Sequence, residues 1–343
     1  MPYPYPCMRP KAPKPAGEVE ILREIRQRAG RTGSSALRLG IGDDCAILRP
    51  RAGEEIVITT DFSLEGRHFR LDWHPPEAVG HRCITRGLSD LSSMGARPLA
   101  AFLSLAVPPE LAATRRGKSW LTRFYDGLFA AAEAHQTPLA GGDLAQFPQV
   151  AADITLLGAL PRGRAVLRST ARPGDLIYVT GTLGGSAAAL RTLAELAPLP
   201  ARIPAKLAAK LQPHLYPQPR LAQGQWLLKR KAATSMLDIS DGLSTDLAHL
   251  CEESRVAAEV DAATLPIHAS ATLEEALHGG EDYELLFTAA PAVKLPQQIA
   301  GVPITPIGRI QRKKAGRAQI ILRTASGPVA LSPQGWQHFS KQS

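Results

Sequence analysis

Aspartates carry the clearest chemical potential in this chain, and they recur in one kind of setting. Asp43 and Asp44 follow a Gly-Ile-Gly turn in "LGIGDDCAIL". Asp61 closes the run "EEIVITTD", directly after Thr59 and Thr60. Asp143 follows Gly141 and Gly142 in "TPLAGGDL", while Asp238 and Asp241 bracket the end of "SMLDIS". A single Gly-Asp-Asp is ordinary turn chemistry, because glycine admits positive φ and Asp caps nearby N–H groups. The repetition asks for more. Each of these acids is expected where a short apolar strand stops, with Asp90 on a helix between them. Gathered in one place, they would repel one another strongly unless cations neutralised them. Hard oxygen ligands of this kind suit Mg²⁺, which keeps part of its water and leans on substrate phosphates.

The glycines sort into two groups. Gly141-Gly142 before Asp143 would let a backbone approach a phosphate and offer it N–H groups. "TGTLGGSAAAL" lacks the Gly-Lys-Ser/Thr of a P-loop and the glycine spacing of a dinucleotide fingerprint. Gly184-Gly185 is therefore read as close backbone packing. Cys45, beside the Asp doublet, is read as a small core thiol rather than a nucleophile, and His74, His81 and His249 as structural.

The elements that must position these residues alternate along the chain. Apolar residues at helical spacing predict a helix over Val19 to Ala29. "EEIVITTD" is a strand, "PEAVGHRCITRGLSDLSSMGA" a helix bearing Asp90, and "LAAFLSLAVP" a buried strand. A helix is expected from about Pro109 to His135, then strands at "TPLAGGDL" and "AADITLLGAL". The pattern restarts after Pro161 to Arg172. "RPGDLIYVTG" leads into a strand and "LGGSAAALRTLAEL" into a helix. A helix at Leu221 to Lys231, the strand "SMLDIS", a helix from Asp241 to Ser254 and a strand near Val256 to Val260 follow. "DYELLFT", Ile304 to Ile310 and Ala318 to Arg323 read as late strands. The expected fold is α/β (α+β): two domains with mixed sheets flanked by helices. Their limits are set at 18–160 and 161–343, after a proline-rich tail over 1–17.

Composition narrows the partners. The chain has 343 residues, 44% of them hydrophobic, ample for more than one core. No apolar run is long enough to span a bilayer, and the N-terminus lacks the apolar centre of a signal peptide. Four scattered cysteines without a CxxC pair suggest neither zinc nor a disulfide framework, which fits a reducing cytoplasm. The net charge of +9 is spread out. Its densest stretch, "RKKAGR" at Arg312 to Arg317, is read as a solvated hairpin loop. With few aromatics for base stacking, the charge suits an acidic small molecule better than nucleic acid.

Taken in order, "GIGDDCAIL", "TTDFSLEGRHF", "LSDLSSMGARP", "GGDL", "GRAVLRS", "ARPGDLIYVTGTLGGSAAAL", "LDISDGLSTDL" and "GGEDYELLFT" resemble thiamine-monophosphate kinase. That family belongs to the superfamily holding aminoimidazole ribonucleotide synthetase and selenophosphate synthetase. The resemblance covers about Glu18 to Phe339. It implies transfer of the ATP γ-phosphoryl to thiamine monophosphate, giving thiamine diphosphate, in a homodimer joined through a sheet-built barrel of N-terminal domains. It implies several Mg²⁺ ions held by Asp44, Thr59, Thr60, Asp61, Asp90, Asp143, Asp238 and Asp241. Nucleotide contacts would come from Gly142, Arg168 and Ser240, and substrate contacts from His68, Glu281 and Trp336. One departure is Leu144, where the family often carries a hydroxyl. The rival readings are another ATP-dependent enzyme of the superfamily and a nucleotide-binding regulatory module without catalysis. Selenophosphate synthetase would want a reactive Cys in a glycine-rich N-terminal loop, whereas Cys7 sits in the proline-rich tail.

Overall fold

Residues 18–113, 119–200, 203–316 and 318–336 are described by the computed structural model, and the tail over 1–17 lies outside them. Helix α1 (Glu18–Ala29) buries Ile25 and Ala29, as its spacing predicts, but leaves Leu22 of the same face exposed. The "GIGDDCA" stretch hangs between two short antiparallel strands, β1 (Leu37–Leu39) and β2 (Ile47–Leu48). There follow β3 (Glu54–Leu64), α2 (Pro76–Ser93), β4 (Arg97–Val107), α3 (Pro109–Ala112), α4 (Trp120–Ala134), β5 (Leu139–Gln146) and β6 (Ala151–Pro161). The single helix expected over Pro109 to His135 is two helices. The first ends at Ala112, and Ser119 starts the second by accepting the Thr122 N–H on its hydroxyl. Residues 114–118 lie outside the described set.

Strands β3-β6-β4-β5 form a four-stranded sheet in which β4 and β5 run parallel and the other neighbours antiparallel. Burial alternates along β6. Ala152, Ile154 and Leu156 are buried, while Asp153, Thr155 and Leu157 are partly open, the period of two that a strand imposes. Helices α2 and α4 cover the buried face.

The chain continues with β7 (Leu176–Thr180), α5 (Gly185–Leu196), α6 (Ala205–Leu215), α7 (Leu221–Arg230), β8 (Ser235–Asp238), α8 (Leu243–Glu253) and β9 (Val256–Asp261). Helix α9 (Leu273–His278) and β10 (Leu285–Ala289), β11 (Gln298–Ile299), β12 (Val302–Arg312), β13 (Ile320–Thr324) and β14 (Gly327–Ala330) complete it. The second sheet runs β14-β13-β9-β12-β7-β10-β8, with β11 paired to β12. Only its β9–β13 pair is parallel, so both sheets are mixed and flanked by helices. The stretch after Arg312 is not a hairpin loop. Strand β9 stands between β12 and β13, so this basic segment is a crossover, with Arg317 itself outside the described residues.

Helix α2 joins the two sheets. One core holds Cys83, Leu88 and Leu91 of α2, Ile154 and Leu156 of the first sheet, and Met236, Leu285 and Phe287 of the second. Each fully buried Leu or Phe contributes about 1.5–3 kcal/mol. A second core, with Ile177, Val179, Leu247 and Leu250, lies under α8. Glycines let α2 and α4 touch backbone to backbone. A Cβ on Gly80 would stand 1.9 Å from the Phe124 carbonyl oxygen, and one on Gly127 would stand 1.8 Å from that of Glu77. This crossing fixes where α2 lies. Gly127→Ala should therefore cost about 1–3 kcal/mol, the usual range for overpacking, read as a lower urea midpoint. An unchanged midpoint would show that the helices do not cross so closely.

Candidate active site

The seam beside α2 encloses a cavity of about 580 Å³. Strand β3 supplies Asp61 and α2 supplies Asp90. The last residue of β8, Asp238, and the turn after it, with Ser240 and Asp241, complete this side. His68, Glu281 and Trp336 line the same cavity. Long-range pairing brings these segments together. Ile239 N–H donates to the Glu284 carbonyl, Tyr283 N–H to that of Ile239 and Glu281 N–H to that of Ser240. The paired glycines of "HGGEDYEL" permit this approach, since a Cβ on Gly280 would stand 2.6 Å from the Ser240 carbonyl oxygen. The C-terminal stretch is strapped to the same place. Trp336 N–H donates to the Asp241 carbonyl and Gly335 N–H to the Thr245 hydroxyl. Trp336 is 39% exposed at the cavity wall rather than buried in a core.

Other expected residues lie apart. Asp43, Asp44, Gly142 and Asp143 line a second pocket of about 370 Å³ at the β5 edge. Asp61 and Asp143 are not at strand ends as expected, because β3 runs on to Leu64 and β5 to Gln146. These are the two edge strands, with β6 and β4 between them. Three strand spacings put the edges about 14 Å apart. Gly142 also has a packing reason to be glycine: φ is +146°, and a Cβ would meet the Leu103 carbonyl oxygen at 1.9 Å. Cys45 is exposed, not a core thiol. Asp241 precedes α8 rather than opening it, for the helix begins at Leu243. Thr59 donates its hydroxyl to Asp90, whereas Thr60, one residue on and facing the other side, donates to Asp153 at 2.7 Å. Arg168 lies close enough for its charge to favour ionised Asp90 and Asp238.

The "GGEDYEL" acids divide their work. Glu281 faces the cavity. Asp282 accepts the Gly184 and Ser186 N–H groups at the start of α5, at 2.6 and 3.0 Å, which leaves Gly184-Gly185 as packing. Glu284 accepts from Thr180 and Arg220. The strand expected from Asp282 begins only at Leu285, because Glu281 (φ +64°) and Tyr283 (φ +52°) are left-handed and cannot extend.

Arg82 and Arg86 were not singled out by sequence, although Arg82, Arg86 and Asp90 recur every four residues along α2 and so share one face. Arg82 donates to Glu281 at 2.7 Å and also reaches the buried His214. Arg86 donates through Nε to Asp61 at 3.1 Å, and its Nη1 lies 3.7 Å from Glu281. Burial pushes the Glu281 carboxyl upward, but Arg82, with His214 and Arg86 behind it, holds it well below the ordinary range. His68 accepts the Leu64 N–H on Nδ1, which leaves Nε2 to carry the proton of the neutral ring.

The acidic wall has the opposite balance. Burial, reinforced by the Asp238 carboxylate, raises Asp90 to about 7. Burial also raises Asp238, which accepts the Ser89 hydroxyl at 2.5 Å, and raises Asp61 despite Arg86. Buried oxygen donors so short of positive charge fit Mg²⁺. Among the described residues, Asp241, Asp246 and His249 also offer ligand atoms within 4.8 Å of one another. One Asp246 oxygen is already committed to the Asp241 and Gly242 N–H groups at 3.0 Å.

Comparison with known proteins shows what the chain is similar to. Residues 42–160 match the family model of the AIR synthase related protein N-terminal domain, and residues 172–321 match that of its C-terminal domain. The chain is 36% identical to thiamine-monophosphate kinase of Escherichia coli K12 over 94% of its own length and 98% of the relative's. The crystal structure of thiamine-monophosphate kinase from Stenotrophomonas maltophilia K279a is 35% identical with a TM-score of 0.75, covering 90% of this chain and 97% of that one. AaThiL complexed with AMPPCP and TMP is 31% identical with a TM-score of 0.72, covering 94% and 97%.

The raised Asp90 carboxyl sets a pH dependence. The unfolded group titrates near 3.8 and the folded one near 7. The native state therefore holds the extra proton between those values, and its contribution to stability is lost as pH rises through 7. A cation bound there would take the place of the proton above that pH. Mg²⁺ at 100 times its dissociation constant should stabilise the protein by about 2.7 kcal/mol. One pH unit below the Asp90 pKa, proton competition should remove about 1.4 kcal/mol of this. Thermal melts with and without Mg²⁺ at pH 8 and pH 6 should show the larger shift at pH 8. Equal shifts would take Asp90 out of the cation site.

Proposed function

This chain belongs to the thiamine-monophosphate kinase family, and on that premise we propose how its own residues phosphorylate thiamine monophosphate with ATP. The carrying observation is one cavity lined both by buried acids short of positive charge and by His68, Glu281 and Trp336. In this reading Asp61, Asp90, Asp238 and Asp241 hold Mg²⁺, with Thr59 steadying Asp90. Thr60, its hydroxyl committed to Asp153, would offer its carbonyl oxygen. Ser240, Arg168 and Gly142 take the nucleotide. Trp336 gives an aromatic face to the cationic thiazolium, and Glu281, held ionised by Arg82, gives it a counter-charge.

Mg²⁺, when bound, offsets the charge of the triphosphate. The acceptor phosphate has a second pKa of about 6, so it is mostly dianionic at neutral pH and needs no general base. One of its oxygens forms a bond to the γ-phosphorus while the bond to the β,γ-bridging oxygen breaks, releasing ADP. Orientation and charge neutralisation carry the rate. The reading sets the reaction in the cytoplasm, with ATP. Among the described residues no helix is long and apolar enough to cross a membrane.

The domain division we adopt is 18–160 and 161–343. The dimer supports itself on the open face of the four-stranded sheet, where Ile58 is 67% and Phe62 57% exposed on the unpaired edge strand β3. Joining two such sheets into a barrel would set the β5 edge of one protomer beside β3 of its partner. That arrangement overcomes the 14 Å gap of about three strand spacings, letting Asp44 and Asp143 complete the partner's metal set.

Two experiments test this. Incubation with ATP, Mg²⁺ and thiamine monophosphate should yield thiamine diphosphate and ADP by mass. Asp241→Asn should lower kcat at least about a hundredfold; AMP or free phosphate as product would indicate another enzyme of the superfamily. Separately, Asp61→Asn and Asp143→Asn should each be inactive, yet mixed dimers should recover about a quarter of the activity, because half the dimers are mixed and each keeps one intact site. No recovery after subunit exchange would put both residues in the same protomer's site.

A further inference from the structure

Arg86 has no part in the family resemblance, yet it stands between Asp61 and Glu281 in the cavity. Its side chain is only 14% exposed. A guanidinium has five N–H donors, and among the described residues Arg86 makes one hydrogen bond, from Nε to Asp61 at 3.1 Å. Its Nη1 approaches Glu281 only to 3.7 Å, outside hydrogen-bond range. Arg82, one turn earlier, differs. It is 4% exposed and spends its guanidinium on Glu281 and the His214 carbonyl. Beside Arg86, the Tyr283 hydroxyl is buried without a hydrogen-bond partner among the described residues. A nearly buried cation with most of its donors unspent is costly unless a ligand supplies oxygens.

Covalent order says which ligand group arrives there. In thiamine monophosphate the phosphate separates the ring system from the phosphoryl group being received. Arg86 stands between Glu281, on the side that would hold the rings, and Asp61, on the side that would hold the triphosphate. We propose that Arg86 binds the acceptor's own phosphate, through its free Nη hydrogens, and so selects a phosphorylated acceptor over the free alcohol. The inference rests on the proposed function. A planar guanidinium suits a phosphate because two parallel N–H bonds can meet two of its oxygens. With Nε anchored on Asp61, the same contact would turn an acceptor oxygen toward the metal-bound end.

The test compares two ligands that differ only in the phosphate. Calorimetric titration of thiamine monophosphate and of thiamine into the Mg²⁺-loaded full chain is done for the parent, Arg86→Met and Arg86→Lys. Arg86→Met should weaken thiamine monophosphate at least about tenfold, the scale of a charged hydrogen bond. Thiamine should bind it as it binds the parent, within about twofold. Arg86→Lys keeps the charge but not the fork, so it should lose about fivefold for the phosphorylated ligand alone. It carries the comparison by itself if the methionine variant does not fold. Equal weakening of both ligands would overturn the proposal and make Arg86 a positioning residue for Glu281. No change for either ligand would overturn it as well. A parent that binds neither ligand would instead sink the functional reading on which the inference stands.

Discussion

A carboxylate buried beside another carboxylate persists only with a proton or a cation, and the seam between the two sheets is organised by that constraint. Asp90 and Asp238 face each other there, under burial that raises both. Three arginines meet the acids of the cavity, but unevenly. Arg82 commits to Glu281, Arg86 reaches from Asp61 toward Glu281, and Arg168 acts on Asp90 and Asp238 through its charge. One wall is thereby left ionised and satisfied, and the other short of positive charge. In the proposed reading, that asymmetry suits a cationic ring at one end and metal-bound phosphates at the other.

Helix α2 makes the asymmetry possible. It is packed into both sheets and pressed against α4 with no side chain between their backbones at Gly80 and Gly127. Along one face it carries Arg82, Arg86 and Asp90, so one rigid element sets the spacing between both walls. Behind the cavity, Arg82 binds the His214 carbonyl, and the His214 ring contacts Ser186 and His74. Burial, then Arg82, keeps His214 well below its ordinary range, and burial takes His74 down to about 4. The His214 ring lies 3.6 Å from Glu281 through Nδ1, so both histidines sit behind the Glu281 end of the cavity.

Much of this was legible in sequence because it is local. Helical spacing in α1 and α2, alternation in β6, and the strand stop at Asp238 follow from side-chain periodicity and turn chemistry over a few residues. The same reading failed where a partner strand decides the outcome. Thr59 to Asp61 and Gly142-Asp143 look like strand ends, yet pairing with β6 and β4 carries both strands past them. The "RKKAGR" stretch looks like a hairpin, yet β9 inserts between its flanking strands.

The sequence by itself determined the alternating α/β character, the acidic motifs and the family. Each is written in residue types at short, fixed spacing. Tertiary structure alone decided which acids share a cavity. Asp61, Asp90, Asp238 and Asp241 meet there, while Asp44 and Asp143 line a different pocket at the far edge of the sheet. It alone gave Arg86 its neighbours, Asp61 from 25 residues away and Glu281 from the other half of the chain. The physical reason is that strand order and helix crossing are fixed by burial summed over the whole core, and no window of sequence contains that sum.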